Sequence, residues 1–192
     1  MFEIFRKYLE EKINLSGKEF ELIQSVSTIK KIRKRQYLLQ EGDVWRFNAF
    51  VCQGFVRSYL VDDKGQEHIM NFAPENYWIG DRESLASELP SKYNIDALED
   101  SEILLINKIN FEMLCKSIPL FNDLFNAIIQ KSFVVSQERI HINITYTAGE
   151  KYNNFMARFP AVANRIPQHM IASYLGISAE TLSRIRKQST KK

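Results

Sequence analysis

The chain has 192 residues, 45% of them apolar and 26% charged, with a formal net charge of +3. That is the composition of a globular protein with enough chain for one medium or two small domains and a buried core. Cys52 and Cys115 are too few and too far apart for a disulfide framework or a cysteine-built zinc site, which fits a reducing, intracellular setting. The opening stretch MFEIFRKYLEEKINL carries charge in every turn and lacks the apolar core of a signal peptide. The longest aliphatic runs, such as Ile103–Ile106, fall far short of a membrane span, so the expected location is the cytoplasm, with no membrane partner.

The elements, in chain order, change period twice. Ser16 followed three residues later by Glu19 is a capping-box pattern and predicts a short helix. From about Ser27 to Asp100, short β-rich stretches are cut by turn residues. Asp62–Gly65 reads as a hairpin turn with Gly65 at positive φ. Gly42, Gly54 and Gly80 stand at strand ends, where tight turns favour glycine. Many short strands at this spacing predict a small barrel or sandwich. After Lys108 the texture becomes helical: FEMLCKSI is a short helix stopped by Pro119, and no Gly or Pro interrupts Leu120 to Thr145. In that long helix Phe121, Phe125, Ile128, Val135 and Ile142 form one apolar line, and Leu124, Ile128, Phe133, Ile140 and Ile144 a second. Two faces imply two partners, the body of the chain and a second copy; the alternative is a monomeric helix buried on both sides. A hinge is expected near 145–149. Thr147 with Glu150 then repeats the capping box, and Pro160 ends the helix it starts.

Charge is unevenly placed. Residues 148–192 hold eight Lys/Arg against two Glu, a net +6, which leaves the rest of the chain at −3. A basic module on a mildly acidic body suits a polyanion partner, although a solvated basic terminus has the same composition. Within the module, Pro167 suits the first turn of a helix, Gly176 the left-handed position that closes it, and Ser178 the N-cap of the next. Ile171, Leu175, Ile177, Leu182 and Ile185 can meet inside the angle between the two helices, and Ala172 supplies the small side chain where they cross. Helix, glycine turn and helix at these offsets predict a DNA-binding helix-turn-helix. Glu180, Ser183 and Arg184, spaced i, i+3, i+4, share the opposite face. Arg184 can donate twice to guanine and Glu180 can accept from cytosine. The same two residues also suit an intrahelical i,i+4 pair. Gln168, Ser178, Arg186 and Lys187, near helix ends, are candidate phosphate contacts.

On these residues the chain resembles the Crp/Fnr superfamily of bacterial transcription regulators. GISAETLSRIRK looks like that family's recognition helix, and Glu180, Ser183 and Arg184 match its Fnr-type branch. The stretch from Tyr37 to Asp81 is similar to the family's cyclic-nucleotide-binding-type β-roll. RIPQHMIASYLGISAETLSRIRK looks most like the short regulators common in Bacteroidetes. The resemblance implies an α+β fold: a β-roll sensor (a jelly roll) with N-terminal helices over 1–118, a dimerisation helix and hinge over 119–146, and an all-α helix-turn-helix domain over 147–192. It also implies a homodimer reading a palindrome of TTGAT-like half-sites in double-stranded DNA, with RNA polymerase as a partner.

Three departures qualify it. The family's cassette pairs an arginine with the cyclic phosphate; here Gly80 is followed by Asp81, and Ser91 and Lys92 stand where Arg and Ser are expected, so tight cyclic AMP binding is not expected. No N-terminal cysteine cluster supports an iron–sulfur centre, and His68, His141 and His169 give no clear haem pattern, so no cofactor is expected. No β-wing is evident around the helix-turn-helix, which leaves Lys191 and Lys192 to supply phosphate contacts. An alternative function is a small-molecule sensor whose ligand, of unknown identity, sits in the roll among Gly80, Asp81, Ser91, Lys92, Tyr93 and Ser136. No nucleophile–base motif, phosphate loop or histidine cluster supports an enzyme.

Overall fold

The computed structural model describes residues 2–189; Lys191 and Lys192 lie outside the described residues. Two short helices open the chain, α1 (Phe2–Glu10) and α2 (Gly17–Ser25). The Ser16–Glu19 capping box closes reciprocally in front of α2. Eight strands follow: β1 (Ser27–Ile32), β2 (Tyr37–Leu39), β3 (Phe47–Gln53), β4 (Val56–Val61), β5 (Glu67–Ala73), β6 (Trp78–Ile79), β7 (Asn94–Ala97) and β8 (Ser101–Asn107). A helix that the sequence reading missed, α3 (Arg82–Ser87), lies between β6 and β7. Its N-cap is Asp81, whose side chain accepts from the N–H groups of Glu83 and Ser84.

The strands form two antiparallel sheets, ordered β1-β8-β3-β6 and β2-β7-β4-β5. Their facing sides bury Val51, Val56, Ile95, Ile103 and Trp45, so the apolar side chains fill the space between the layers. The β4–β5 hairpin turns at Asp62–Gln66, with Gly65 at φ +77° where a β-carbon would be strained. Cys52 lies outside this layer, in a second apolar cluster where the first sheet meets the helices through Phe5, Ile23, Phe50, Leu114 and Phe121. Burial pushes its thiol up to about 11, so it is an inert packing residue.

Four further helical segments precede the two C-terminal helices: α4 (Lys108–Ser117), α5 (Pro119–Thr145), α6 (Ala148–Arg158) and a 3-10 turn at Ala163–Arg165. Pro119 both ends α4 and opens α5, because its missing N–H costs nothing at the first helical position. α5 runs 27 residues, roughly 40 Å of helix. Only its ends are fully buried, by Phe121 and Ile142. Between them Phe133 is 64% exposed and Ile140 53%, and beyond Ile142 the last turn leaves Ile144 77% exposed. The first apolar line is broken at Arg139, whose guanidinium donates to the carbonyls of Ile69, Met70 and Tyr174 rather than facing solvent. The second line lies largely open. α5 breaks at Tyr146–Thr147, where Thr147 and Glu150 form the capping box of α6.

The C-terminal helices do not hang free of the roll. α7 (Gln168–Leu175) packs on β5, and α8 (Ala179–Ser189) follows it. Phe55, Tyr59 and Phe72 from the outer face of the second sheet share one apolar cluster with Phe155, Ile171 and Leu182. Ser173 ties the two together with its hydroxyl, accepting from Ile69 N–H at 3.0 Å and donating to the Glu67 carbonyl at 2.9 Å. Arg165 adds a clasp. Its guanidinium binds Glu99 at 2.6 Å and Glu75 at 3.0 Å and lies over the Phe55 ring.

Candidate nucleic-acid interface and the roll interior

α7 stops at Gly176, in the left-handed conformation at φ +65°. The N–H of Ile177 then reaches back to the Ala172 carbonyl at 3.0 Å, the six-residue closure typical of a glycine-ended helix. Ser178 caps α8 by accepting from Thr181 N–H at 3.2 Å. Ala172, Ile171, Leu175 and Leu182 are buried between the two helices, with Ile177 and Ile185 packed at the edge. These contacts set the crossing of α7 and α8 and determine which side of α8 faces out. Glu180 and Arg184 lie on the exposed side and Ser183 is half-buried beside them.

The intrahelical ion pair that their spacing suggested does not form among the described residues. Arg184 instead donates from Nη2 to Thr181 Oγ1 at 3.3 Å. Glu180 is held below the usual carboxylate range by its own backbone amide and the Ser178 hydroxyl, with a lesser pull from the Arg184 charge. Its carboxylate lies exposed at the start of the helix, where the macrodipole favours negative charge. Thr181 was missed in the sequence reading; its position three residues before Arg184 was the available signal. Gln168 is exposed at the first residue of α7, Ser178 is exposed at the cap of α8, and Arg186 and Lys187 lie in the last turn of α8. The start of α8 also borders a cleft of about 380 Å³ lined by Gln66, Glu67, His169 and Ser178, so a carboxylate-bearing strand edge lies beside the candidate DNA-reading end.

The roll residues proposed for a ligand separate into two groups. Gly80, at φ +153°, lies so close to Trp45 that a β-carbon there would meet the indole Nε1 at 2.5 Å. Trp45 itself is 4% exposed and fills this end of the interior. The Asp81 carboxylate accepts from the N–H groups of Glu83 at 2.9 Å and Ser84 at 3.2 Å, and from the Ser91 hydroxyl at 2.7 Å. Ser91 also accepts from Tyr93 N–H at 2.9 Å. Gly80, Asp81, Ser91 and Tyr93 therefore meet, but in a self-satisfied network. Lys92 is exposed, and Ser136 is exposed on α5, bonded to the Ser132 carbonyl.

A second polar cluster was not legible in the sequence. Arg57, on the outer face of β4, is 5% exposed and grips Asp96 of β7 with two hydrogen bonds, at 2.7 and 2.9 Å. Glu67 of β5 takes a third, and the guanidinium lies over the Tyr59 ring. Burial alone would lower the Arg57 pKa, but the bonds to Asp96 and Glu67 hold it above the ordinary arginine value. Only the strand register, with Arg57 opposite Asp96, brings these groups together. Among the described residues no group of three or more His, Cys, Asp or Glu could hold a metal ion, and no helix is long and apolar enough to cross a membrane.

Residues 29–117 match the family model described as the cyclic nucleotide-binding domain. Over 98 residues the chain is 26% identical to the anaerobic regulatory protein of Bacillus subtilis (strain 168), a match covering 51% of this chain and 41% of that relative. The match spans less than half the length of that relative. Among solved structures the chain is similar to FixK2 from Bradyrhizobium japonicum, with a TM-score of 0.75 at 21% identity over 86% of this chain and 85% of that one. It is also similar to the c-di-GMP-responsive global regulator CLP of Xanthomonas campestris, with a TM-score of 0.74 at 12% identity over 92% of each chain.

Proposed function

On the premise that this chain has the Crp/Fnr fold and carries a cyclic nucleotide-binding domain, we propose that it is a homodimeric, cytoplasmic transcription regulator that reads a palindromic DNA site. The observation that carries this reading is the outer face of α8. Buried Leu182 and Ala172 hold the helix, while Glu180 and Arg184 stay exposed with polar tips. Arg184 suits bidentate donation to guanine O6 and N7, and Glu180 suits acceptance from cytosine N4. Gln168, Ser178, Arg186 and Lys187 are the proposed phosphate contacts, which position the helix without reading sequence.

The open apolar stripe of α5 supports the dimer. Phe133, Ile140 and Ile144 would bury against the same stripe of a second copy, related by a two-fold axis. Two-fold symmetry then presents two α8 helices to successive major grooves about one turn of DNA apart. A Phe133→Glu, Ile140→Glu double variant is expected to sediment as a monomer and to lose affinity for the palindrome; an unchanged dimer would remove α5 from the interface.

The effector pocket is proposed to be degenerate, since Trp45 and the Asp81–Ser91 network already occupy the neighbourhood of Gly80. The deciding experiment on DNA is fluorescence anisotropy with a TTGAT-type palindrome and a scrambled duplex. Wild type is expected to prefer the palindrome, and Arg184→Ala to cost about 1–3 kcal/mol and relax selectivity at one guanine. Equal affinity for both duplexes at physiological salt would sink base reading.

A further inference from the structure

The hinge where α5, α6 and α7 meet contains a cationic recess that DNA reading leaves unused. It is a cavity of about 20 Å³, open to solvent, lined by Arg139 and Asn143 of α5 and by Lys151, Asn154 and Arg158 of α6, with Tyr174 of α7 at its wall. The spacing explains the convergence. Arg139 and Asn143 are four residues apart, and Lys151, Asn154 and Arg158 follow at steps of three and four, so each set forms one stripe on its helix. Three cations and two carboxamides thus share one recess with the apolar side chains of Ile142, Phe155 and Leu175, and no carboxylate is among its lining residues.

Among the described residues these charges have no carboxylate counter-ion: none of the three cations joins a carboxylate within 4.0 Å. Arg139 satisfies N–H groups on the carbonyls of Ile69, Met70 and Tyr174 and lies 4.2 Å above the Tyr174 ring. Carbonyls satisfy donors but do not neutralise charge, and an unneutralised buried charge is costly. Burial, with the neighbouring Arg158 charge, holds Arg139 below the ordinary arginine value. The acid next to Lys151 in sequence, Glu150, is held away in its cap, accepting from the N–H and hydroxyl of Thr147 at 2.8 and 2.7 Å.

We propose that this recess is an anion site for a tetrahedral oxyanion, either inorganic phosphate or the terminal phosphoryl group of a phosphorylated small molecule. Lys151 and Arg158 supply charge-assisted donors from α6, Arg139 supplies charge from α5, and the Asn143 and Asn154 amides complete the shell. The recess has room for about one oxygen, leaving the others toward solvent, which suits a phosphoryl group carried on a larger body. Because its donors come from both sides of the Tyr146–Thr147 break, an occupied site stiffens the connection between α5 and the reading helices.

The test uses the full chain without DNA, so its outcome is independent of base reading. Thermal melting is followed against inorganic phosphate, against ribose 5-phosphate and against sodium chloride at matched ionic strength. The expected result is a saturable rise in melting temperature with phosphate or the sugar phosphate beyond the salt control; whichever saturates at lower concentration identifies the source. Arg158→Gln should weaken that binding about tenfold or more, and Lys151→Gln should weaken it less, with the circular dichroism of both unchanged. No rise beyond the salt control, or an equal rise in wild type and Arg158→Gln, overturns the site. If neither small anion binds and Arg158→Gln instead lowers the salt dependence of DNA affinity, the recess is a DNA-backbone contact and the proposal also fails.

Discussion

The interior of the roll and the outer face of α8 both carry polar residues that the sequence marked as candidate sites, and they have opposite fates. In the roll, Asp81, Ser91 and the Gly80 backbone turn inward on one another and on Trp45. On α8, Glu180 and Arg184 are held from behind by an apolar wedge and remain open in front. A polar group is available to a partner only when the chain has not already satisfied it. Composition cannot distinguish the two cases, because an aspartate capping a helix and an aspartate awaiting a ligand look alike in sequence.

The largest expected effect comes from opening the closed region. Trp45→Ala should cost about 3–5 kcal/mol in urea unfolding, the range for deleting a buried aromatic side chain. Wild type should show no rise in melting temperature with micromolar cyclic AMP; a clear rise would mean that the Trp45-filled interior yields to a nucleotide and would erase the contrast.

A smaller effect is expected at the open region. Ser178→Ala removes the cap of α8 and should cost about 0.5–2 kcal/mol, together with a loss of DNA affinity. It also removes a group that favours the charged form of Glu180. Unchanged stability would show that α8 holds its reading face by packing alone.

The smallest effect concerns the clasp between the two regions. Glu99 is held below its ordinary value by the Arg165 bond, and Glu75 is held there by the same guanidinium against the cost of its burial. For carboxylates lowered in the folded state, the contribution is full above the ordinary value of 4.5 and is lost as pH falls through the folded value. Both side chains are at least a third exposed, so screening by solvent should keep the loss under about 1 kcal/mol. Melting temperature followed from about pH 6 to pH 3 should fall more steeply for wild type than for Arg165→Gln; parallel curves would mean that the clasp contributes nothing.

Much of the helix-turn-helix was legible because its determinants are local. Ala172, Gly176, Ser178 and Leu182 lie within eleven residues, and each acts through turn geometry or helical periodicity. The turn glycines and both capping boxes were readable for the same reason. Legibility failed where partners come from distant strands or from the other half of the chain. The Arg57–Asp96 pair needs the β4–β7 register. The Arg165 clasp spans 66 residues to Glu99 and 90 to Glu75. α3 was missed because a six-residue helix has too few turns to show a period.

The sequence by itself therefore determined the change from a strand-rich half to a helical one, the basic charge of the C-terminal module and the residues that share the outer face of α8. These follow from backbone preferences and side-chain periods that need no distant neighbour. Only the tertiary structure decided that Trp45 closes the roll, that Arg139 binds carbonyls of the roll and of α7, and that Arg184 rests on Thr181 rather than on Glu180. Each of those outcomes depends on which groups meet in space and which of them is already satisfied when they do.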